Sequence, residues 1–250
     1  MSWAYSELVT DVYECHLPVG YSNGDVEYYS RALSGITGKI LEPACGTGRV
    51  LVPLLEMGFL MEGLDHSPEM LERCREHCRE RGLPEPELHA ADMASFVRPE
   101  VYGAVVMPAG SIRNIAGREL TLQTLDSFRQ SLLPGGLLIV DVAAPRMATE
   151  NNSVQIHQKD PHVLTVQEVA AVYDPISNRR TQYLRYEKWR DGDLVTTELH
   201  QFCHQLWGLD EFEELLAEVG YTDIRVTADY HEGSTPGPAT GDWTFHAVRP

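Results

Sequence analysis

At 250 residues, with 43% hydrophobic and 23% charged side chains, the chain can bury one full core and is too apolar for wholesale disorder. Acidic residues outnumber basic ones 37 to 20, for a net charge of −17, which repels phosphate backbones and anionic lipid and favours a small-molecule partner over nucleic acid or membrane. The opening MSWAYSELVTDVYE carries no targeting leader, no apolar run could span a bilayer, and five scattered cysteines make no disulfide framework, so a cytoplasmic protein is expected.

In chain order, the first 37 residues are rich in aromatics (Trp3, Tyr5, Tyr13, Tyr21, Tyr28, Tyr29) and read as a leading lid segment. From residue 39 short apolar runs alternate with helical periodicity, the pattern of a parallel sheet built from βαβ units. Strands are expected at 39–42, 59–64, 87–90, 102–107 and 137–142. The intervening helices are 49–57, then a helix from Ser67 as N-cap and Pro68 to about Arg81-Gly82, then 120–133 up to Pro134-Gly135-Gly136. Residues 163–173, 181–189 and 194–207 alternate polar and apolar side chains around turns at Asp174-Pro175 and Asp191-Gly192. They predict an antiparallel meander of three or four strands inserted after the fifth strand, within 150–207. A helix at 209–219 and strands at 223–228 and 243–248 complete a Rossmann-like, mostly parallel seven-stranded sheet with helices on both faces, expected as a single domain over 1–250.

The stretch LEPACGTGRV, residues 41–50, sets Glu42 four residues ahead of Gly46-Thr47-Gly48 at a strand-to-helix turn, where backbone amides approach a ligand. The dinucleotide fingerprint needs a third glycine, and Leu51 occupies that position. Asp65, 19 residues beyond Gly46, ends the second strand where a carboxylate can bridge ribose hydroxyls, and Asp92-Met93 follow the third where they can meet an adenine. Three consecutive strand ends thus carry the groups of an adenosine site.

In order and spacing, LEPACGTGR, GLDHSPEML, AADM and YGAVVMPAGSI resemble the class I S-adenosylmethionine-dependent methyltransferases, and more narrowly the small-molecule type with an antiparallel cap, such as sugar-amine and glycine N-methyltransferases. The resemblance covers nearly the whole chain and is strongest between Ile40 and Leu138. It implies S-adenosylmethionine as cofactor, with Glu42, Ala44, Gly46, Gly48 and Arg49 around its methionine half and Asp65 on the ribose. It further implies His66 and Met70 flanking the adenosine, Asp92 and Met93 at the adenine, Met107, Pro108 and Ala109 beneath the sulfonium, and Tyr13 and Tyr21 as lid hydroxyls. Acids near two positive centres agree with Coulomb attraction.

The acceptor side departs from the family's pattern. Where related sugar-amine enzymes carry a histidine after strand four, this chain has Ser111-Ile112-Arg113-Asn114-Ile115, leaving Asn114 or Arg113 to orient the acceptor. Arg113 would suit a carboxylate or phosphate on it. His200 and His204 share a strand face in the cap, with His204 the acceptor-side candidate, and Trp189, Trp207 or the 233–238 loop would set specificity. No metal is expected: the cap histidines lack a third ligand, and Cys74 and Cys78 share an apolar helix face with Met70 and Leu71. The expected activity is methyl transfer to nitrogen or oxygen of a small molecule by a monomer or homodimer; a non-catalytic cofactor-binding module or an NAD-linked oxidoreductase are the alternatives.

Overall fold

A computed structural model describes residues 5–145 and 153–250. Trp3 and the expected cap boundary at residue 150 lie outside them. Two helices lead, α1 (Glu7–His16) and α2 (Asp25–Ala32). The parallel strands follow: β1 (Lys39–Pro43), β2 (Met61–Asp65), β3 (Leu88–Ala90), β4 (Tyr102–Met107) and β5 (Leu132–Ala143), with helices α3 (Leu51–Glu56), α4 (Pro68–Glu80) and α5 (Arg118–Ser131) between them. Four antiparallel strands come next, β6 (Val154–Lys159), β7 (His162–Asp174), β8 (Arg179–Arg190) and β9 (Asp193–Gln205). The chain closes with α6 (Leu209–Val219), β10 (Thr222–Ala228) and β11 (Asp242–Val248).

The main sheet has seven strands in the order β10-β11-β5-β4-β1-β2-β3, with β11 antiparallel to both its neighbours and every other pairing parallel. β4 is buried at every residue because helices cover both faces of a central strand. The chain turns outward in opposite directions from β1 and β4, and a ligand crevice belongs at the carboxyl edge of such a switch point. Local chemistry sets the helix ends: the Ser67 side chain accepts from the Met70 amide to cap α4, whose Met70, Leu71, Cys74 and Cys78 are buried, and Gly220 closes α6 with a φ of 99°.

One expectation is revised, and the cap takes the higher of its two expected strand counts. Pro134-Gly135-Gly136 does not separate α5 from the fifth strand; it is a bulge inside β5, where Leu132 pairs with Tyr102 and Leu137 with Ala104, and Gly135 has a φ of 75°. The cap also contains β6, which residues 154–159 conceal because Gln155, His157 and Lys159 leave little hydrophobic contrast. The cap forms its own sheet, β6-β7-β8-β9, and its inner face packs on α1 through Leu164, Tyr186 and the half-buried Val166, Leu184 and Phe202. Among the described residues no helix is long and apolar enough to cross a membrane.

Candidate active site

Two cavities meet beneath α1, one of about 330 Å³ over the ends of β1 to β3 and one of about 530 Å³ under the cap. Tyr5, Tyr13, Ser111 and Asn114 border both. The smaller is lined by Ala44, Gly46, Asp65, His66, Met70, Asp92 and Met93, so three strand ends converge as the motif spacing requires. Among the described residues no lysine or arginine lines it.

Asp65 is held rigidly. Its Oδ2 accepts from the Gly46 amide at 2.9 Å and its Oδ1 from the Ser67 amide at 2.9 Å, while burial outweighs these bonds and raises its pKa. Asp92 accepts from the Ala94 amide at 2.9 Å, which fixes the turn after β3. Glu42 lies buried at the end of β1, behind the lining. Burial drives its pKa well up against the pull of Arg49, and its Oε2 has no hydrogen-bond partner among the described residues. An acid left in this state is short of a cation.

Several residues depart from their expected places. A Cβ on Gly48 would fall 2.7 Å from both Cys74 Sγ and Val52 Cγ2, so this glycine admits close helix packing and does not line the cavity. Leu51, in place of the fingerprint's third glycine, fills the space that Gly63 leaves, where a Cβ would meet its Cδ1 at 2.9 Å. Arg49 also misses the cavity: its guanidinium donates to Asp25 Oδ2 at 2.6 Å and to the Tyr21 carbonyl at 2.9 Å, tying the segment before α2 to the glycine turn. The Tyr21 side chain is exposed and bonds Asn23, whereas Tyr13 faces both cavities. Met107 is fully buried in the sheet core, and Ala109 beyond it reaches the larger cavity.

Ala109 has a φ of 58°, and its amide donates to Asp141 Oδ2 at 2.9 Å. Asp141, on β5, also accepts from the Tyr230 hydroxyl at 2.9 Å and the Thr244 hydroxyl at 2.8 Å, yet full burial raises its pKa to about 7. This anchor positions the short 3-10 turn Ser111–Asn114, on which Arg113 and Asn114 sit. Asp141 and Tyr5 are the functional candidates that sequence reading missed; Tyr5 belonged to the aromatic lid segment, but nothing local marks Asp141.

The larger cavity takes Arg113, Ala109, Val9, Val12 and His16 from below and Glu168, Gln182, Tyr186, Phe202 and His204 from the cap. Burial and the nearby Arg113 and Arg180 lower the His204 pKa to about 3, so it is neutral at physiological pH. His200 instead pairs with Glu198 at 2.8 Å. Neither tryptophan lines the cavity: Trp207 is buried against Phe212, and the Trp189 indole N–H donates to Thr165. The 233–238 loop does not line it either.

Among the described residues one group could gather around a metal, Glu62, Glu87 and His89. Glu62 is already engaged by Lys39, by the Tyr102 hydroxyl at 2.8 Å and by Arg98 and His89 at 3.1 Å each, so it is a neutralised structural acid.

Residues 40–136 match the family described as methyltransferase domain. Over those residues the chain carries a methyltransferase domain. The chain is 25% identical over 214 residues to a glycine/sarcosine N-methyltransferase of Aphanothece halophytica, covering 84% of the chain and 77% of the relative. It is 32% identical over 117 residues to the dTDP-3-amino-3,6-dideoxy-alpha-D-glucopyranose N,N-dimethyltransferase of Streptomyces fradiae, an overlap of 47% of the chain and 44% of the relative. Its fold superposes on the crystal structure of Streptomyces venezuelae DesVI with a TM-score of 0.76 at 22% identity, covering 98% and 100% of the two chains.

Proposed function

We propose that the smaller cavity holds S-adenosylmethionine and the larger a small-molecule acceptor, with methyl transfer to nitrogen or oxygen across the boundary formed by Tyr5, Tyr13, Ser111 and Asn114. The observation that carries this reading is the opposed lining of two adjoining cavities, one with Asp65 and Asp92 and, among the described residues, no lysine or arginine, the other arginine-bearing. S-adenosylmethionine, when bound, supplies a methyl group already activated on a sulfonium. The residues present fit it: Asp65 and Asp92 offer carboxylates at the ribose and adenine positions, and Glu42 adds an acid with an unpaired oxygen behind that lining.

The protein's own contribution is alignment and exclusion of water. Asn114, facing both cavities, orients the acceptor by hydrogen bonding. Tyr5 and Tyr13, their rings 6.4 Å apart, roof the boundary. His204, kept neutral, presents a hydrogen-bonding ring to the acceptor without adding positive charge. The sugar-amine and glycine/sarcosine activities in the relatives' names support a small acceptor bearing an amine.

Calorimetric titration with S-adenosylhomocysteine, followed by a screen of amines and alcohols for its release from S-adenosylmethionine, tests the proposal. Saturable binding with turnover of a small acceptor is expected. Binding with no turnover across such a panel would favour a cofactor-binding module, and preference for NAD would sink the assignment.

A further inference from the structure

Charge is distributed unevenly within the larger cavity. Arg113 reaches it from the 3-10 turn, and Glu168 from β7. Glu168 is already matched, since it accepts from Arg180 at 2.9 Å and 3.0 Å and from Gln182. Arg113 is not: among the described residues no carboxylate forms a salt bridge with it, and Tyr5 and Asp242 supply only longer-range support. Burial lowers its pKa, though a guanidinium remains charged at any physiological pH. A half-buried guanidinium without a counter-ion is stabilised when a ligand supplies the anion.

Neighbouring groups are consistent with that need. His204, the histidine closest in charge terms to Arg113, is held neutral by the two arginines and by burial, so it does not compete for an anion but can hydrogen-bond one. Arg113 borders only the larger cavity, while Asn114, the next residue on the same turn, borders both. The charged end of a ligand at Arg113 and its reacting atom at Asn114 would therefore be read by consecutive residues.

The geometry points to an anion subsite at Arg113: the acceptor carries a carboxylate or phosphate, paired to this guanidinium, a short span from the atom that is methylated. This deepens the methyl-transfer reading above and rests on it. A bidentate guanidinium suits both oxyanions, and the acidic lining of the other cavity would repel them.

The test is calorimetric titration of the S-adenosylhomocysteine-loaded protein with sodium phosphate, sodium acetate and methylammonium chloride, with ionic strength held by sodium chloride. Saturable binding of phosphate or acetate is expected, the stronger of the two naming the group, with affinity reduced at least about tenfold in Arg113→Gln and partly kept in Arg113→Lys. S-adenosylhomocysteine affinity stays unchanged in both, because Arg113 does not line that cavity. A second measurement needs no variant: the binding anion should protect Arg113 from phenylglyoxal, read by peptide mass, and methylammonium should not. Cofactor binding without anion binding, anion binding equal in Arg113→Gln, or no protection of Arg113 overturns the subsite alone; failure of the wild type to bind S-adenosylhomocysteine overturns the methyl-transfer reading itself.

Discussion

Asp65 accepts a hydrogen bond from the amide of Gly46 at 2.9 Å, so the carboxylate proposed for the ribose also holds the glycine turn in place. Asp65→Ala removes a ligand contact and frees two backbone donors at once. S-adenosylhomocysteine affinity should fall at least about a hundredfold, from two charge-assisted bonds of about 1.5 kcal/mol each. Asp65→Asn, which can still accept from one amide, should fall between; titration of both variants checks the order.

Gly48→Ala should destabilise the fold with little direct effect on the ligand. The added methyl meets Cys74 and Val52 at 2.7 Å and sits at a φ of 87°. Overpacking and backbone strain together should cost about 2–4 kcal/mol, read as a lower urea midpoint with unchanged slope.

Asp141 makes stability depend on pH. Its folded pKa, about 7, lies above the ordinary carboxyl value of 3.8, so between these values the folded state keeps a proton that the unfolded chain has lost. Its contribution is therefore fully present below the unfolded value and declines as pH rises toward 7. Urea unfolding of wild type and Asp141→Asn at pH 4, 5.5 and 7 should show wild-type stability falling relative to the variant across the series.

Helix α1 is clamped from both sides by one buried acid. Asp11 pairs with Arg73 of α4 at 3.1 Å, and with Lys159 of β6 at 2.5 Å and Lys188 of β8 at 3.5 Å in the cap. Asp11→Asn leaves Lys188 without this acid and Arg73 and Lys159, each about a third exposed, with Glu14 as their shared partner, and should loosen the helix by about 1–2 kcal/mol after solvent screening. Faster amide hydrogen exchange over residues 7–16, with exchange in β4 unchanged, is the expected signature.

The parallel half of the fold was legible because each strand end couples a local pattern to a chemical residue. β4 and α6 agree with their periodicities to the residue, and Ser67-Pro68 marks the start of α4. Asp65, Asp92 and Met93 do reach one cavity. What sequence could not reveal depends on depth and distance. Gly48 and Gly46 look equivalent in the motif, yet only tertiary packing against Cys74 separates their tasks. Arg49 finds its partner at Asp25, 24 residues earlier, and Tyr21 turns outward because the backbone carbonyl, not the hydroxyl, meets that arginine. Asp141 sits within an ordinary apolar strand, and its importance comes from Ala109, Tyr230 and Thr244, which folding gathers from three separate stretches.

With the reactants seated as proposed, the partition of charge between the adjoining cavities also sorts them. A cation that strays under the cap faces Arg113, and an anion that strays over the strand ends faces Asp65 and Asp92. Each compartment thus rejects the other's guest by long-range repulsion before any shape is tested. A cavity boundary only four side chains wide can then remain open to the transferred methyl group without admitting either molecule to the wrong seat.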